Sequence, residues 1–138
     1  MKYLLDANTC IRLLNADDDA VMRRYAACQP ADVVLCSVVK AELLYGARRS
    51  ARVEFNLKRL AYFAAPLQSL PFDDKCAHDY ALIRADLAAQ GKPIGANDLM
   101  IAAIARAQDL ILVTHNTGEF SRVAGLRIED WESARRGL

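Results

Sequence analysis

Four acidic side chains stand where metal-assisted chemistry would need them: Asp6, Glu42, Asp98 and Glu119. Asp6 closes the apolar run Y-L-L, and Glu42 lies one turn beyond V-V-L-C. Asp98 opens the apolar stretch L-M-I-A-A-I-A, and Glu119 follows L-I-L-V within T-H-N-T-G-E-F. Ligands of a parallel α/β sheet bind outside the carboxyl ends of its strands, so these starting points can converge on one crevice. Carboxylates gathered there repel and raise one another's pKa. A hard divalent cation relieves the repulsion, and magnesium or manganese prefers oxygen ligands while keeping several waters. A site of this kind makes bound water acidic and clamps the attacking and leaving oxygens of a phosphodiester. Asn8, Thr114 and Asn116 are uncharged hydrogen-bonding groups near the same strand ends, suited to holding the acids in place.

Each acid also has an ordinary reading. Asp6 can cap the helix that follows it. Glu42 can face water, as most helical glutamates do, although Val39, Leu43 and Gly46 share its side of the helix and a carboxylate on an apolar face must be paired or bind a cation. Asn97 or Asp98 can cap the buried helix, but one cap needs only one side chain. The arginines Arg48, Arg49 and Arg52, continued by Lys58 and Arg59 with Tyr62 and Phe63 close by, form the only dense basic patch. They could bind phosphates along an RNA backbone, or form a solvated face paired to Glu54.

The elements that must position these groups are legible as alternating apolar runs and amphipathic stretches. Strands are expected at the segment before Asp6, at Val33–Cys36, Leu67–Leu70 and Leu110–Val113, with a last edge strand at Leu126–Ile128. Helices are expected over Thr9–Asn15, from Asp17–Asp19 to about Cys28, from Val38 to about Arg49 with Ser37 as N-cap, and over Ala51–Ala64. A further helix should run from the cap Asp73 to about Gln90, with Ala77, Tyr80, Ala81, Arg84, Leu87 and Ala88 along its inward stripe and Asp79 and Asp86 in water; Gly91 should stop it. The stretch L-M-I-A-A-I-A is apolar nearly all round and so belongs to a buried helix. Trp131 should close the core, and the tail Arg135–Leu138 should be mobile.

This alternation implies an α/β domain over residues 1–138: a Rossmann-like parallel sheet of four to five strands with helices on both faces. The 138 residues suffice for one domain with a real core. With 54% hydrophobic and 25% charged residues the chain is globular, and a net charge of +1 supplies no overall field for nucleic acid. The apolar runs are too short to span a bilayer and no cleavable leader pattern precedes Asp6, which points to the cytoplasm. Cys10, Cys28, Cys36 and Cys76 show no C-x-x-C spacing and sit in apolar settings, as free, buried thiols would.

The ordered set M-K-Y-L-L-D-A-N, A-E-L-L-Y-G, P-I-G-A-N-D-L-M-I-A-A and L-V-T-H-N-T-G-E-F resembles the PIN-domain ribonucleases, and more closely the VapC toxins of VapBC toxin–antitoxin pairs. The resemblance covers nearly the whole chain and implies a parallel sheet between helices. It also implies a magnesium-dependent (or manganese-dependent) endoribonuclease that cuts single-stranded regions of structured RNA, in some members the anticodon loop of initiator tRNA, and so stops translation. By the same resemblance the acids fall on Asp6, Glu42, Asp98 and Glu119, and the supporting threonine on Thr114. Many relatives carry an acid where Asn116 stands; here Glu119 would supply that charge. A homodimer, a small VapB antitoxin blocking the site, and a toxin–antitoxin complex that binds operator DNA through the antitoxin are implied as well. Two alternatives remain at this point. One is a haloacid-dehalogenase-like phosphohydrolase, echoed by D-A-N-T and G-A-N-D but with Asn8 where its second Asp should stand. The other is a non-catalytic binding module.

Overall fold

The computed structural model describes residues 1–132. The chain forms β1 (Tyr3–Leu5), α1 (Ala7–Asn15), α2 (Asp19–Ala26), a 3₁₀ turn (Pro30–Asp32), β2 (Val33–Cys36), α3 (Ser37–Arg48), α4 (Val53–Ala64) and β3 (Gln68–Leu70). It continues through α5 (Asp74–Ala89), α6 (Ala96–Ala107), β4 (Ile111–Val113), α7 (Thr117–Phe120) and β5 (Arg127–Glu129). The sheet has five strands in the order β3-β2-β1-β4-β5, and every pairing is parallel. All residues of β1, β2 and β4 are buried, as expected of parallel strands covered on both faces. Right-handed crossovers put α1 to α4 on one face and α5 to α7 on the other. Most close contacts stay within a face, with α1 against α2, α3 and α4, and α5 against α6, while α3 also meets α6 across the division.

This order has one consequence for function. From β1 the chain builds outward to β2 and β3, then returns to add β4 and β5 on the other side. The reversal lies between β1 and β4, whose register pairs Leu5 with Val113. The two strands therefore release Asp6 and Thr114 side by side at the point where crossovers depart in opposite directions, the usual place for a crevice.

Local details differ from the sequence expectation in instructive ways. α1 begins at Ala7, not Thr9, because Asp6 accepts the Ala7 N–H as its N-cap. Asp18, within the acidic cluster, caps α2 by accepting from the Val21 N–H at 3.0 Å. At α3 the N-cap is Cys36, and Ser37 is already helical. α4 starts at Val53, since the turn after Arg48 runs to Arg52. Asp73 caps α5 as expected, and Gly91 ends it with a φ of 68°, a left-handed conformation glycine adopts without strain. The buried face of α5, however, is Cys76, Ile83 and Leu87, with Tyr80 half-buried; Ala77, Ala81, Arg84 and Ala88 are exposed. Asp86 faces water, whereas Asp79 pairs with Arg106 of α6 at 3.0 Å. α6 is buried from Ile101 to Ala105. Trp131 does close the core: it meets Tyr3 edge-on at 5.1 Å, and its Nε1 donates to Glu129 at 2.9 Å. The four cysteines are free thiols, three of them buried. The tail Arg135–Leu138 lies outside the described residues.

Candidate active site

Asp6 leaves β1 buried, at 7% exposure. Its two oxygens have different tasks. Oδ1 accepts the Ala7 N–H at 2.7 Å, and Oδ2 accepts the Thr114 hydroxyl at 2.8 Å. The helix cap and a link to the residue after β4 therefore coexist on one side chain. Thr114 is itself fixed, because its Oγ1 accepts the Asn116 N–H at 3.0 Å. Thr9, one turn into α1, donates to the Val113 carbonyl at 3.3 Å and ties α1 to β4. Burial raises the Asp6 pKa, and the two hydrogen bonds pull against that rise.

The other acids arrive on three different elements. Glu42 is half-buried on α3, Asp98 stands in the first turn of α6, and Glu119 lies on the short α7. Gly95 occupies the N-cap of α6 and no side chain caps that helix, so Asn97 and Asp98 are left for other work. Asn97 is a residue the sequence suggested only as a cap. Burial and, next, the nearby Asp6 charge raise the Glu42 pKa, and a hydrogen bond from the Asn97 side chain pulls against that rise. Asn116 Nδ2 donates to Glu119 Oε2 at 3.3 Å. Asn8 is exposed on the first turn of α1.

Electrostatics show which groups the fold brings together. The Asp98 carboxyl is pushed up to about 6, first by burial, then by Asp6, by a hydrogen bond with Glu119 that favours the protonated form, and by the charges of Glu119 and Glu42. The other three acids thus all act on the Asp98 carboxyl. Among the described residues, no group of three or more His, Cys, Asp or Glu side chains is gathered tightly enough to grip an ion. A cation held by few protein contacts, keeping several of its own waters, is the kind that oxygen donors spread over several elements suit. Two observations fit such a cation: the donors are all oxygens, and Glu42 Oε1 is buried without a hydrogen-bond partner. An orphaned carboxylate oxygen among mutually repelling acids is stabilised by positive charge.

Arg48, Arg49 and Arg52 are exposed at the α3–α4 junction, near the open side of Glu42's helix. Among the described residues, none of them pairs with Glu54. Arg52 instead stacks on Phe55, its guanidinium 3.9 Å from the ring centre, and Arg49 lies over Tyr45 at 5.6 Å.

The sequence matches the PIN-domain family over residues 3–126, so the chain belongs to that family. Within it, the chain groups with the VapC ribonucleases. It is 42% identical over 131 residues to the tRNA(fMet)-specific endonuclease VapC of Shigella flexneri, spanning 95% of this chain and 98% of that protein. The toxin chain in a DNA-bound VapBC complex from Salmonella typhimurium superposes with a TM-score of 0.89 at 37% identity, covering 95% of this chain and 98% of that one. A promoter-DNA-bound VapBC2 from Rickettsia felis gives 0.88 at 35% identity, covering 96% and 100%. The phosphohydrolase alternative is not favoured beside these matches. Its second acid would have to be Asn8, which has no charge to offer.

Proposed function

We propose that the protein is a divalent-cation-dependent endoribonuclease toxin that cuts initiator tRNA, in its anticodon loop, and is neutralised by a VapB-type antitoxin. The observation that carries this reading is that Asp6, Glu42 and Glu119, each from a different element, all act on the Asp98 carboxyl of α6. The tRNA assignment is carried over from the relative named for that substrate.

Asp6, Asp98, Glu42 and Glu119 would hold Mg²⁺, with Mn²⁺ able to replace it. When bound, such a cation supplies Lewis acidity toward the phosphodiester and makes nearby water more acidic. The chain's own part is to keep the carboxylates ionised and aimed. Thr114 favours the charged form of Asp6, Asn97 does the same for Glu42, and Asn116 orients Glu119. Arg48, Arg49 and Arg52 would contact phosphates flanking the cut.

An apolar groove of about 780 Å³, lined among others by Leu13, Tyr25, Phe55 and Tyr62, opens between α1, α2 and α4. Tyr62 is 87% exposed there, an unusual state for a large aromatic side chain that marks an interaction surface. It suits the antitoxin. The described chain contains no helix long and apolar enough to cross a membrane; a cytoplasmic homodimer, engaged with antitoxin and through it with operator DNA, completes the proposal.

Incubating purified protein with initiator tRNA and Mg²⁺, then mapping new 5′ ends, tests the reading. We expect one cut in the anticodon loop, abolished by EDTA and restored by Mg²⁺ or Mn²⁺. Cleavage indifferent to chelation would overturn the metal assignment, and an intact tRNA beside a cut ribosomal RNA would overturn the substrate.

A further inference from the structure

The chain passes from β4 to α7 through Thr114, His115 and Asn116, and both ends of this turn hold an acid. The Thr114 hydroxyl donates to Asp6 Oδ2 at 2.8 Å, and Asn116 Nδ2 donates to Glu119 Oε2 at 3.3 Å. The turn also closes on itself. The Asn116 N–H donates to Thr114 Oγ1 at 3.0 Å, and the Thr117 N–H to the His115 carbonyl at 2.9 Å. The direction in which the turn leaves β4 therefore sets two of the four carboxylates together, and His115 is its central residue.

The backbone alone fixes that direction weakly. The Thr114 N–H donates to the Glu129 carbonyl at 2.9 Å, continuing the ladder between β4 and β5 one residue past Val113. Beyond it, α7 spans only Thr117–Phe120 and no side chain caps it; a helix so short has little stability of its own. Phe120 and Val123 are buried and anchor the far side of α7. The near side, which carries Thr114 and Asn116, needs a separate tie.

His115 supplies it. Its Nδ1 lies 2.9 Å from Oδ2 of Asp130, the residue that follows β5. An ionised carboxylate only accepts, so Nδ1 carries the proton and donates. Asp130 is held in turn, because its Oδ1 accepts the Glu132 N–H at 3.0 Å. Glu132 Oε1 lies 3.8 Å from the same Nδ1, and Glu132 Oε2 lies 3.7 Å from Arg12 Nε on α1. The His115–Asp130 bond thus continues the pairing of β4 with β5 by side chains, beyond the Thr114 backbone bond. The His115 side chain is 61% exposed, so the bond holds the ring where packing does not.

We propose that His115 and Asp130 are a positioning pair: the Nδ1–H bond to Asp130 fixes the β4–α7 turn, and through Thr114 and Asn116 it aims the carboxylates of Asp6 and Glu119. The inference rests on the ribonuclease reading and adds to it two residues that act through others. Groups that orient the ligands of a metal site commonly matter to its activity nearly as much as the ligands do. The bond chain here runs Asp130, His115, then Thr114 to Asp6 on one branch and Asn116 to Glu119 on the other.

Side-chain amides separate the two ring nitrogens. The amide nitrogen of Asn takes the place of Nδ1, and that of Gln takes the place of Nε2. The substrate is an RNA stem-loop that the wild-type protein cuts with Mg²⁺. His115→Ala and His115→Gln should each lower kcat by about 10-fold, the low end for groups that orient metal ligands, with KM for the RNA unchanged. His115→Asn should restore most of the activity. Asp130→Ala should cost as much as His115→Ala, and the double variant no more than either, the non-additivity of two changes at one bond. A second readout needs neither metal nor RNA. In EDTA, hydrogen exchange at the Asn116 amide should quicken in His115→Ala and His115→Gln and stay slow in His115→Asn. Full kcat in His115→Ala, additive costs, or unchanged Asn116 exchange overturns the pair. Rescue by Gln and not by Asn also overturns it, assigning the ring to the RNA through Nε2. Weakened antitoxin binding with unchanged cleavage overturns it in favour of the protein partner. A wild-type protein that cuts no RNA is a different failure, since it removes the ribonuclease reading and this role with it.

Discussion

Asp6 divides its oxygens between the helix it starts and the strand beside it, and the two bonds explain how a carboxylate at 7% exposure stays ionisable. Thr114→Val keeps the shape but removes the donor to Asp6 and the acceptor for the Asn116 N–H. We expect a loss of about 1–3 kcal/mol in urea unfolding and weaker cleavage, both restored by Thr114→Ser. A Val variant as stable as wild type would show that the hydroxyl does not hold the acid. Asp98 makes a prediction of opposite sign. Its folded pKa, about 6, lies above the ordinary aspartate value of 3.8. Between those values the folded protein holds a proton that the unfolded chain has released, so the group's contribution to stability is present at low pH and lost as pH rises through about 6. Asp98→Asn removes that loss along with the site charge. In EDTA it should melt a few degrees higher than wild type at pH 7.5 and show a much smaller gain near pH 4, while RNA cleavage falls at least about 100-fold. An equal gain at both pH values would mean that titration of this carboxyl is not its source. That these four acids come near one another was legible in the sequence, because each stands at the end of an apolar run or near the start of a helix. That Asp6 serves as cap and site group together was not, since a sequence shows one letter and not two oxygens.

At the scale of elements, β1, β2 and β4 were readable because fully buried parallel strands leave short aliphatic runs. The face of α5 was not. Its stripe was read through alanines, and alanine fits buried and exposed positions alike. The observed face uses Cys76, Ile83 and Leu87 instead. The same residue type behaves oppositely one helix later, where Ala102, Ala103 and Ala105 are fully buried and let α6 lie close to its neighbours. The cap of α3 was misplaced for a different reason: Ser37 has the right chemistry, but β2 passes directly into α3, so its last residue, Cys36, takes the position without a side-chain bond. The contrast between alanines is testable. Ala103→Leu should cost about 1–3 kcal/mol by overpacking, and it should impair cleavage beyond its effect on folding, because α6 carries Asp98. Ala85→Leu, on the exposed side of α5, should leave stability within about 0.5 kcal/mol. Equal costs at the two sites would mean that the close packing of α6 contributes nothing special.

For the whole molecule, the question is how a chain of net charge +1 with an acidic centre attracts a polyanion. Its global field is nearly neutral, and four carboxylates at the switch point repel phosphate until a cation offsets them. Attraction must then come from the local distribution, and among the described residues a dense cluster is Arg48, Arg49 and Arg52 at the α3–α4 junction, held partly by stacking on Tyr45 and Phe55 rather than neutralised by Glu54. Stacked arginines keep their charge available and lose less freedom on binding than mobile ones. If each contacts one phosphate of a single-stranded segment, replacing all three by glutamine should reduce the slope of log K against log salt by about 2, at roughly 0.7 per contact. The measurement is the affinity of the Asp98→Asn protein, chosen so that cutting is suppressed, for an RNA stem-loop between about 50 and about 250 mM KCl, with and without the three glutamines. A reduced slope together with weaker binding at low salt, and affinities that converge at high salt, is the expected result. An unchanged slope would mean that these arginines face only water or the antitoxin, and that RNA is held by the cation site and neighbouring groups alone.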